Sequence, residues 1–251
     1  MSEPIKSVGI KRAYLARLYS LCLNFAEDDV SVFIVNSTIT FGGMSPKSSF
    51  ELSIRTLDRN LYDFFVSPTK EPASIQFTVS KNDFSKILAP FSKRGGREQP
   101  KKDTDMVSLE IMESGIRFLQ SKFYHESEEI NARVGDGTWI PLPSEAWEFS
   151  VSPDIFSEYI LRMTASGGPT IKFKQEGSTL WVISDAGREK LPLQASKHLN
   201  CEIDVSRMTL MKVKAQLNDY EFAKVGVRNF FLVIEGHWEQ GICKWKLEAI
   251  S

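Results

Sequence analysis

The stretch "SFELSIRTLDRNLYDFFVSPTKEPASIQFTVSKNDFSKIL", residues 49–88, decides the fold that the sequence predicts. Its part "ASIQFTVS" alternates apolar and polar residues, which predicts a β-strand. The strand runs without a turn into "KNDFSKILAPF", where apolar residues stand at i, i+3, i+4 and i+7 counted from Phe84. This spacing places them on one face of a helix. The stretch therefore predicts a strand that leads directly into a short amphipathic helix.

The same order of elements occurs four times along the chain. In each repeat a strand enters a helix and three further strands follow, as in "VSVFIVN", "STITFGG" and "SFELSIRTL" after the first helix. The last strands of the second and third repeats are predicted at "EEINARV" and "EKLPLQ". Each half of the chain then carries two helices on one face of a largely antiparallel sheet, which is an α+β architecture. The helices are predicted at residues 11–26, 81–91, 153–164 and 206–217.

A connector separates the two halves. The segment "VGDGTWIPLPSEA" holds two Gly and two Pro in thirteen residues, and such a composition is typical of a linker. We therefore predict an N-terminal domain at residues 1–134, a connector at 135–146 and a C-terminal domain at 147–251.

The composition is that of a soluble globular protein. At 251 residues with 42% hydrophobic residues, the chain can bury a sizeable core. The three cysteines are scattered, which argues against a disulfide framework. No apolar run is long enough to cross a bilayer, and the start "MSEPIKSVGIKRAY" lacks the apolar part of a signal peptide. We expect a nuclear or cytoplasmic protein that is not secreted.

This plan resembles the sliding DNA clamps of the proliferating cell nuclear antigen type. It also resembles their relatives, the checkpoint clamps and the polymerase processivity factors of phages and herpesviruses. In residues 49–88, aromatic Phe64 and Phe65 follow Leu61 in a short segment between two strands, and the next helix ends in an aliphatic pair. The C-terminal "KWKLEAIS" also looks like the final strand and tail of a clamp. The resemblance is one of pattern and leaves the subfamily open.

The resemblance implies a scaffold and not an enzyme. Helices would line a channel around double-stranded DNA and contact its phosphates without reading bases, so that the protein can slide. It implies a ring of identical chains that tethers a DNA polymerase, or other replication and repair proteins, through short peptides, without cofactor or metal. A second possibility is a clamp-fold scaffold in DNA-damage checkpoint signalling or viral transcription, as one subunit of a mixed ring.

A phosphate-binding surface needs Lys and Arg on exposed helix faces, and three of the four helices carry several. The third helix offers Arg162 alone, beside Asp154 and Glu158. The loop "FSKRGGREQPKKDTD" gathers five cations although the formal net charge of the protein is −1. Solvated helix faces and a surface hairpin with incidental charge would look similar. The candidate DNA-binding residues are Lys11, Arg12, Arg17, Lys81, Lys86, Lys93, Arg94, Arg97, Lys101, Lys102, Arg162, Arg207, Lys212 and Lys214.

Clamps also present an apolar pocket to partner peptides, and the resemblance places it beside the connector and the tail. For the tryptophan of the connector, an equally good interpretation is that it pins the connector to its own domain. The candidate partner-binding residues are Phe41, Met44, Trp139, Ile140, Leu142, Ala249 and Ile250.

Catalytic motifs are scarce in the sequence. His125, His198 and His237 are far apart, and neither His-Glu-x-x-His nor Gly-x-Ser-x-Gly occurs. Ser67 and Lys70 satisfy Ser-x-x-Lys, but they lie in a turn-like segment where such matches arise by chance. Paired carboxylates in space are not visible in a sequence. We therefore expect no enzyme, and structural or surface roles for the histidines.

Overall fold

The computed structural model has an α+β architecture. Among the described residues, every strand pair whose register is defined is antiparallel. The described residues are 6–35, 38–55, 74–92, 106–113, 115–120, 125–126, 129–134, 149–165, 167–191, 198–217, 220–238 and 241–250.

Four helices confirm the four predicted ones to within one residue at each end. Their inner faces are the predicted apolar stripes: Phe84 and Leu88, for example, are fully buried. The proline that begins the third helix occupies the first turn, where its missing N–H has no intrahelical partner to lose. The helices are α1 (Arg12–Phe25), α2 (Lys81–Ser92), α3 (Pro153–Thr164) and α4 (Arg207–Leu217).

The strands follow the predicted order with two corrections, given below. They are β1 (Lys6–Lys11), β2 (Asp29–Val35), β3 (Thr38–Ser45), β4 (Ser48–Arg55), β5 (Ser74–Ser80), β6 (Met106–Ile111), β7 (Gly115–Gln120), β8 (His125–Glu126), β9 (Ile130–Asn131), β10 (Arg133–Val134), β11 (Phe149–Val151), β12 (Thr170–Gly177), β13 (Thr179–Ser184), β14 (Gly187–Lys190), β15 (Leu199–Ser206), β16 (Phe222–Val227), β17 (Phe231–Trp238) and β18 (Gly241–Glu248).

Two strand predictions were wrong in detail. The segment "EEINARV" was predicted as one strand, but β9 pairs with β7 whereas β10 pairs with β5, so the chain changes sheets between them. The strand predicted as "EKLPLQ" ends at Lys190 instead. It starts earlier because Gly187, at φ 138°, closes a tight turn directly after β13.

The chain forms two compact units, and each unit contains two of the four repeats. The first unit comprises Met1–Met44 and Leu52–Trp139, and the second comprises Ser45–Glu51 and Ile140–Ser251. The tip of the β3–β4 hairpin therefore belongs to the second unit, where the Lys47 carbonyl accepts a hydrogen bond of 3.0 Å from the Glu248 N–H. The connector predicted at 135–146 lies outside the described residues.

In both units, the strand that leads into each helix joins the sheet of the other repeat. In the first unit β1 pairs with β6 and β5 pairs with β2. In the second unit β11 pairs with β16 and β15 pairs with β12 in the same way. In each repeat the hydrogen-bonded order is therefore third, second and first strand. The next neighbour is the strand that leads into the helix of the other repeat in the same unit. All four repeats share one topology.

Candidate functional site

Two candidate cations lie at helix ends in the first unit. Arg12 begins α1 and donates from Nε to the carbonyl of Phe91, in the last turn of α2, over a long 3.4 Å. Lys81 begins α2 and donates from Nζ to the carbonyl of Ala26, just beyond α1, over 2.6 Å. The last carbonyls of a helix lack intrahelical partners and carry partial negative charge. Each helix therefore begins with a cation that caps the other, a role that the sequence did not reveal.

We expect Arg12→Met and Lys81→Met each to lower the free energy of unfolding by about 0.5–1 kcal/mol, because a cation at a helix C-terminus is lost. The salt dependence of DNA binding should change little, since both side chains are held by the fold. Urea unfolding and DNA titration measure the two effects. Lys86→Met is the matched control. Its free energy of unfolding should stay within about 0.5 kcal/mol of wild type, and the slope of log K against log salt should fall by about 0.9. A weaker slope for Arg12→Met with unchanged stability would contradict the capping role.

Lys86 is the most accessible cation of α2. Its side chain is 76% exposed and forms an ion pair of 3.1 Å with Asp83. Exposed pairs of this type contribute little to stability, so the ammonium is available to a phosphate. On α1, Arg17 is half-buried, whereas a phosphate contact would need it exposed, and Lys11 is half-buried at the end of β1.

Arg162 on α3 is already neutralised by two carboxylates. Its guanidinium lies 2.7 Å from Glu158 and 2.9 Å from Glu189, and 4.6 Å from the centre of the Tyr159 ring. The sequence indicated the first carboxylate, but the second comes from β14 and requires the fold. Because two carboxylates already neutralise this guanidinium, the surface of α3 is the least suited of the four to phosphates.

Helix α4 presents its cations unequally. Arg207 is half-buried, and its backbone N–H donates to the Pro169 carbonyl over 3.0 Å. Lys212 is exposed and Lys214 is half-buried. Lys212 is therefore the cation of this helix that solvent and a phosphate reach most easily.

Several candidate residues lie outside the described part of the chain, and their roles stay predictions. They are the five loop cations Lys93, Arg94, Arg97, Lys101 and Lys102, and the connector residues Trp139, Ile140 and Leu142.

The partner-binding candidates divide into core and surface residues. Phe41 is fully buried and stacks on Phe84 with ring centroids 6.0 Å apart. It is a core residue of the first unit, so the sequence-based assignment to a partner surface was wrong. Met44, at the end of β3, is 62% exposed.

In the second unit the tail is hydrogen-bonded in place beside an exposed phenylalanine. The Ala249 N–H donates to the Phe230 carbonyl over 3.1 Å, and the Ile250 N–H donates to the Asp204 carbonyl over 2.9 Å. The Phe230 side chain is 76% exposed. Sequence reasoning missed it, although two adjacent phenylalanines at the start of a strand must point to opposite faces.

The titratable groups of β17 serve the fold. His237 contacts the Glu235 carboxylate and stacks on Phe222 with ring centroids 4.2 Å apart. Desolvation, with Lys224 and Lys244 nearby, lowers the pKa of His237 to about 4, and burial raises the pKa of Glu235. His237 is therefore neutral near pH 7, in line with the structural role expected for it. Within the described ranges, no group of three or more His, Cys, Asp or Glu could hold a metal ion, and no helix could span a membrane.

The chain has the fold of the sliding DNA clamps. It resembles the proliferating cellular nuclear antigen from Entamoeba histolytica with a TM-score of 0.67 and 12% identity, over 99% of this chain and 100% of that one. The similarity to the A. fulgidus PCNA bound to the C-terminal region of FEN-1 has a TM-score of 0.68 and 9% identity, over 98% of each chain. The similarity to the DNA polymerase sliding clamp from Pseudomonas aeruginosa has a TM-score of 0.66 and 10% identity, over 100% of this chain and 67% of that one. No family model and no curated protein sequence matches the chain.

Proposed function

We propose that the chain is a sliding DNA clamp that acts as a processivity factor for a DNA polymerase. The observation that carries the proposal is the structural likeness to a proliferating cellular nuclear antigen over nearly the full length of both chains. The fourfold strand–helix repeat supports it, because it gives every repeat a helix whose outer face is free of sheet.

Binding to DNA is assigned to cations that do not hold the fold together. Lys86 on α2 and Lys212 on α4 are exposed, and the basic loop at residues 93–102 adds five more cations. Ammonium and guanidinium groups attract phosphates regardless of the base sequence, so this surface binds the duplex without fixing a position on it. The neutralised Arg162 contributes least.

Partner binding is assigned to apolar surface near the tail and the connector. Ala249, Ile250 and the exposed Phe230 form the described part of it in the second unit. We keep Met44, Trp139, Ile140 and Leu142 in the proposal and omit Phe41. A bound peptide of FEN-1 is part of one similar structure, and by analogy this chain would hold short segments of a polymerase or a repair protein.

We expect identical chains to form a closed ring, and topology provides the test. The protein is incubated with linear duplex DNA, both DNA ends are blocked with streptavidin, and the salt is raised to weaken phosphate contacts. A ring should remain on the blocked DNA about tenfold longer or more than on open DNA, because it can leave only over an end. Particle mass in solution should be a multiple of the single-chain mass.

Equal loss from blocked and open DNA would contradict the ring. If the protein alone has the mass of a single chain and forms a ring only together with other subunits, the checkpoint or transcription scaffold is favoured instead.

A further inference from the structure

Helix α4 carries an apolar stripe on its outer side. Met208, Met211 and Ala215 stand at i, i+3 and i+7, and this spacing places them on one face of the helix. Met208 is 69% exposed, Ala215 is exposed and Met211 is half-buried. The helix buries Leu210 and Val213 instead, so packing against the sheet does not account for the stripe.

The corresponding face of α2 in the first unit is polar. Both helices directly follow a strand that ends in serine, and every buried residue of α4 matches a buried residue of α2 when their first residues are matched. In this match Asn82 and Ser85 of α2 take the places of Met208 and Met211. The repeat can therefore form without apolar residues at these places.

Leu161 of α3 extends the apolar stripe. The two helices of the second unit meet where Thr164 Oγ1 lies 3.2 Å from Met211 Sδ. Leu161 precedes Thr164 by three residues, so it lies on the same side of α3, and it is 50% exposed. We call Leu161, Met208, Met211 and Ala215 the α3–α4 patch. A contiguous exposed apolar surface marks an interaction site, and methionine side chains adapt readily to a partner.

The charges beside the α3–α4 patch favour an acidic occupant. Helix α4 contains three cations and no acidic residue, and of these Lys212 is exposed one turn after Met208. On α3, the Glu158 carboxylate lies 2.7 Å from the Arg162 guanidinium. Asp154 lies in the first turn of α3, about two turns before the patch. The charge that the patch offers to an occupant is therefore positive and comes from α4.

We propose that the α3–α4 patch binds a short amphipathic helix of a partner protein. The apolar stripe of this helix packs against Leu161 and the two methionines, and its carboxylates lie beside Lys212. From Met208 to Ala215 the patch is about 10 Å long, which two turns of a helix cover in this mode of recognition. The site shares Lys212 with the surface assigned to DNA, but it needs neither DNA nor a ring, so it goes beyond the proposed function.

The probe is an acetylated, amidated peptide of about 15 residues, a length at which a helix can form in isolation. It carries leucine at i, i+3, i+4 and i+7 and glutamate at the flanking positions, and its binding is followed by fluorescence polarisation. A second peptide has the same composition with the leucines spread around the helix. The first should bind at least about tenfold more tightly, because only it presents a continuous apolar stripe.

The test variant combines Leu161→Gln with Met208→Asn. Both side chains are at least half exposed, so the fold should survive, and asparagine is the residue that α2 carries at the matching place. Binding of the first peptide should weaken about tenfold, since two apolar contacts are lost. Lys212→Met should weaken it about threefold through the lost charge.

The matched control is Ile155→Gln, a change of the same kind on α3. Ile155 is 42% exposed, but it lies seven residues before Arg162, on the side of α3 from which that guanidinium reaches Glu189 of β14. Its peptide affinity should equal that of wild type. Thermal unfolding checks that all variants are folded.

Equal binding of the two peptides, or unchanged binding by the double variant, would overturn the proposal. So would a double variant that loses affinity for duplex DNA while neither peptide binds, which would assign the patch to DNA. Self-association that the double variant abolishes, again without peptide binding, would assign the patch to a second copy of the chain. DNA binding of wild type is titrated in parallel, so a failure of the proposed function appears there and leaves the peptide result intact.

Discussion

Replacing Lys93, Arg94, Arg97, Lys101 and Lys102 together by alanine is expected to flatten the salt dependence of DNA binding. The plot of log K against log salt should lose up to roughly 4 units of slope, because each phosphate neutralised on duplex DNA contributes about 0.9. Five cations on a segment with two glycines and a proline suit this role, since they can exchange among phosphates as the protein moves. Binding should weaken equally on all sequences.

The measurement is a titration of duplex DNA at several salt concentrations with wild type and the five-alanine variant. Lys47→Glu is the control, because Lys47 is exposed on the β3–β4 turn and not on a helix, and the change shifts the net charge by two. Its slope should stay close to that of wild type. An unchanged slope for a folded five-alanine variant would mean that the loop is a solvated hairpin without a role in DNA binding.

The helices could be predicted from the sequence because burial leaves a periodic mark. In α2 the stripe from Phe84 to Phe91 needs only local spacing to be recognised. The pairing of β1 with β6 leaves no such mark, since alternation shows that a strand has a buried face and not which neighbour it joins. The displaced hairpin tip at residues 45–51 has the same cause.

The candidate site divides in the same way. Lys and Arg on helices are visible in the sequence, but their availability depends on partners far along the chain. Lys81 is bound to Ala26, and Arg162 is bound to Glu189, and neither contact follows from spacing. In the sequence, exposed Lys86 and hydrogen-bonded Lys81 cannot be told apart, because the difference arises only when the two helices pack. The charge pattern thus predicts a phosphate-binding surface, whereas the structure shows which of its described cations are exposed and which are already bound.

The aromatic core of the first unit offers the largest expected effect on stability. Phe84 is fully buried in the first turn of α2, with its ring centroid 6.0 Å from that of Phe41 and 6.1 Å from that of Phe118. Removing the ring forfeits these contacts and leaves a cavity among side chains that three different elements hold in place. Phe84→Ala should therefore lower the free energy of unfolding by about 3–5 kcal/mol.

The matched control is Phe230→Ala, the same chemical change at a ring that is 76% exposed, which should alter stability by no more than about 0.5 kcal/mol. Urea unfolding followed by far-UV circular dichroism reports on both units. Tryptophan fluorescence reports mainly on the second unit, since Trp139 alone among the five tryptophans belongs to the first. Phe84→Ala should shift the dichroism transition more than the fluorescence transition if the units unfold separately, and both equally if they unfold together. Equal stability of the two phenylalanine variants would contradict the packing of α2.

Because α2 carries Lys86 and leads into the basic loop, Phe84→Ala should also weaken DNA binding as helix α2 comes loose. That loss should appear near the unfolding transition and disappear in stabilising conditions, whereas the loss caused by the five alanines persists there.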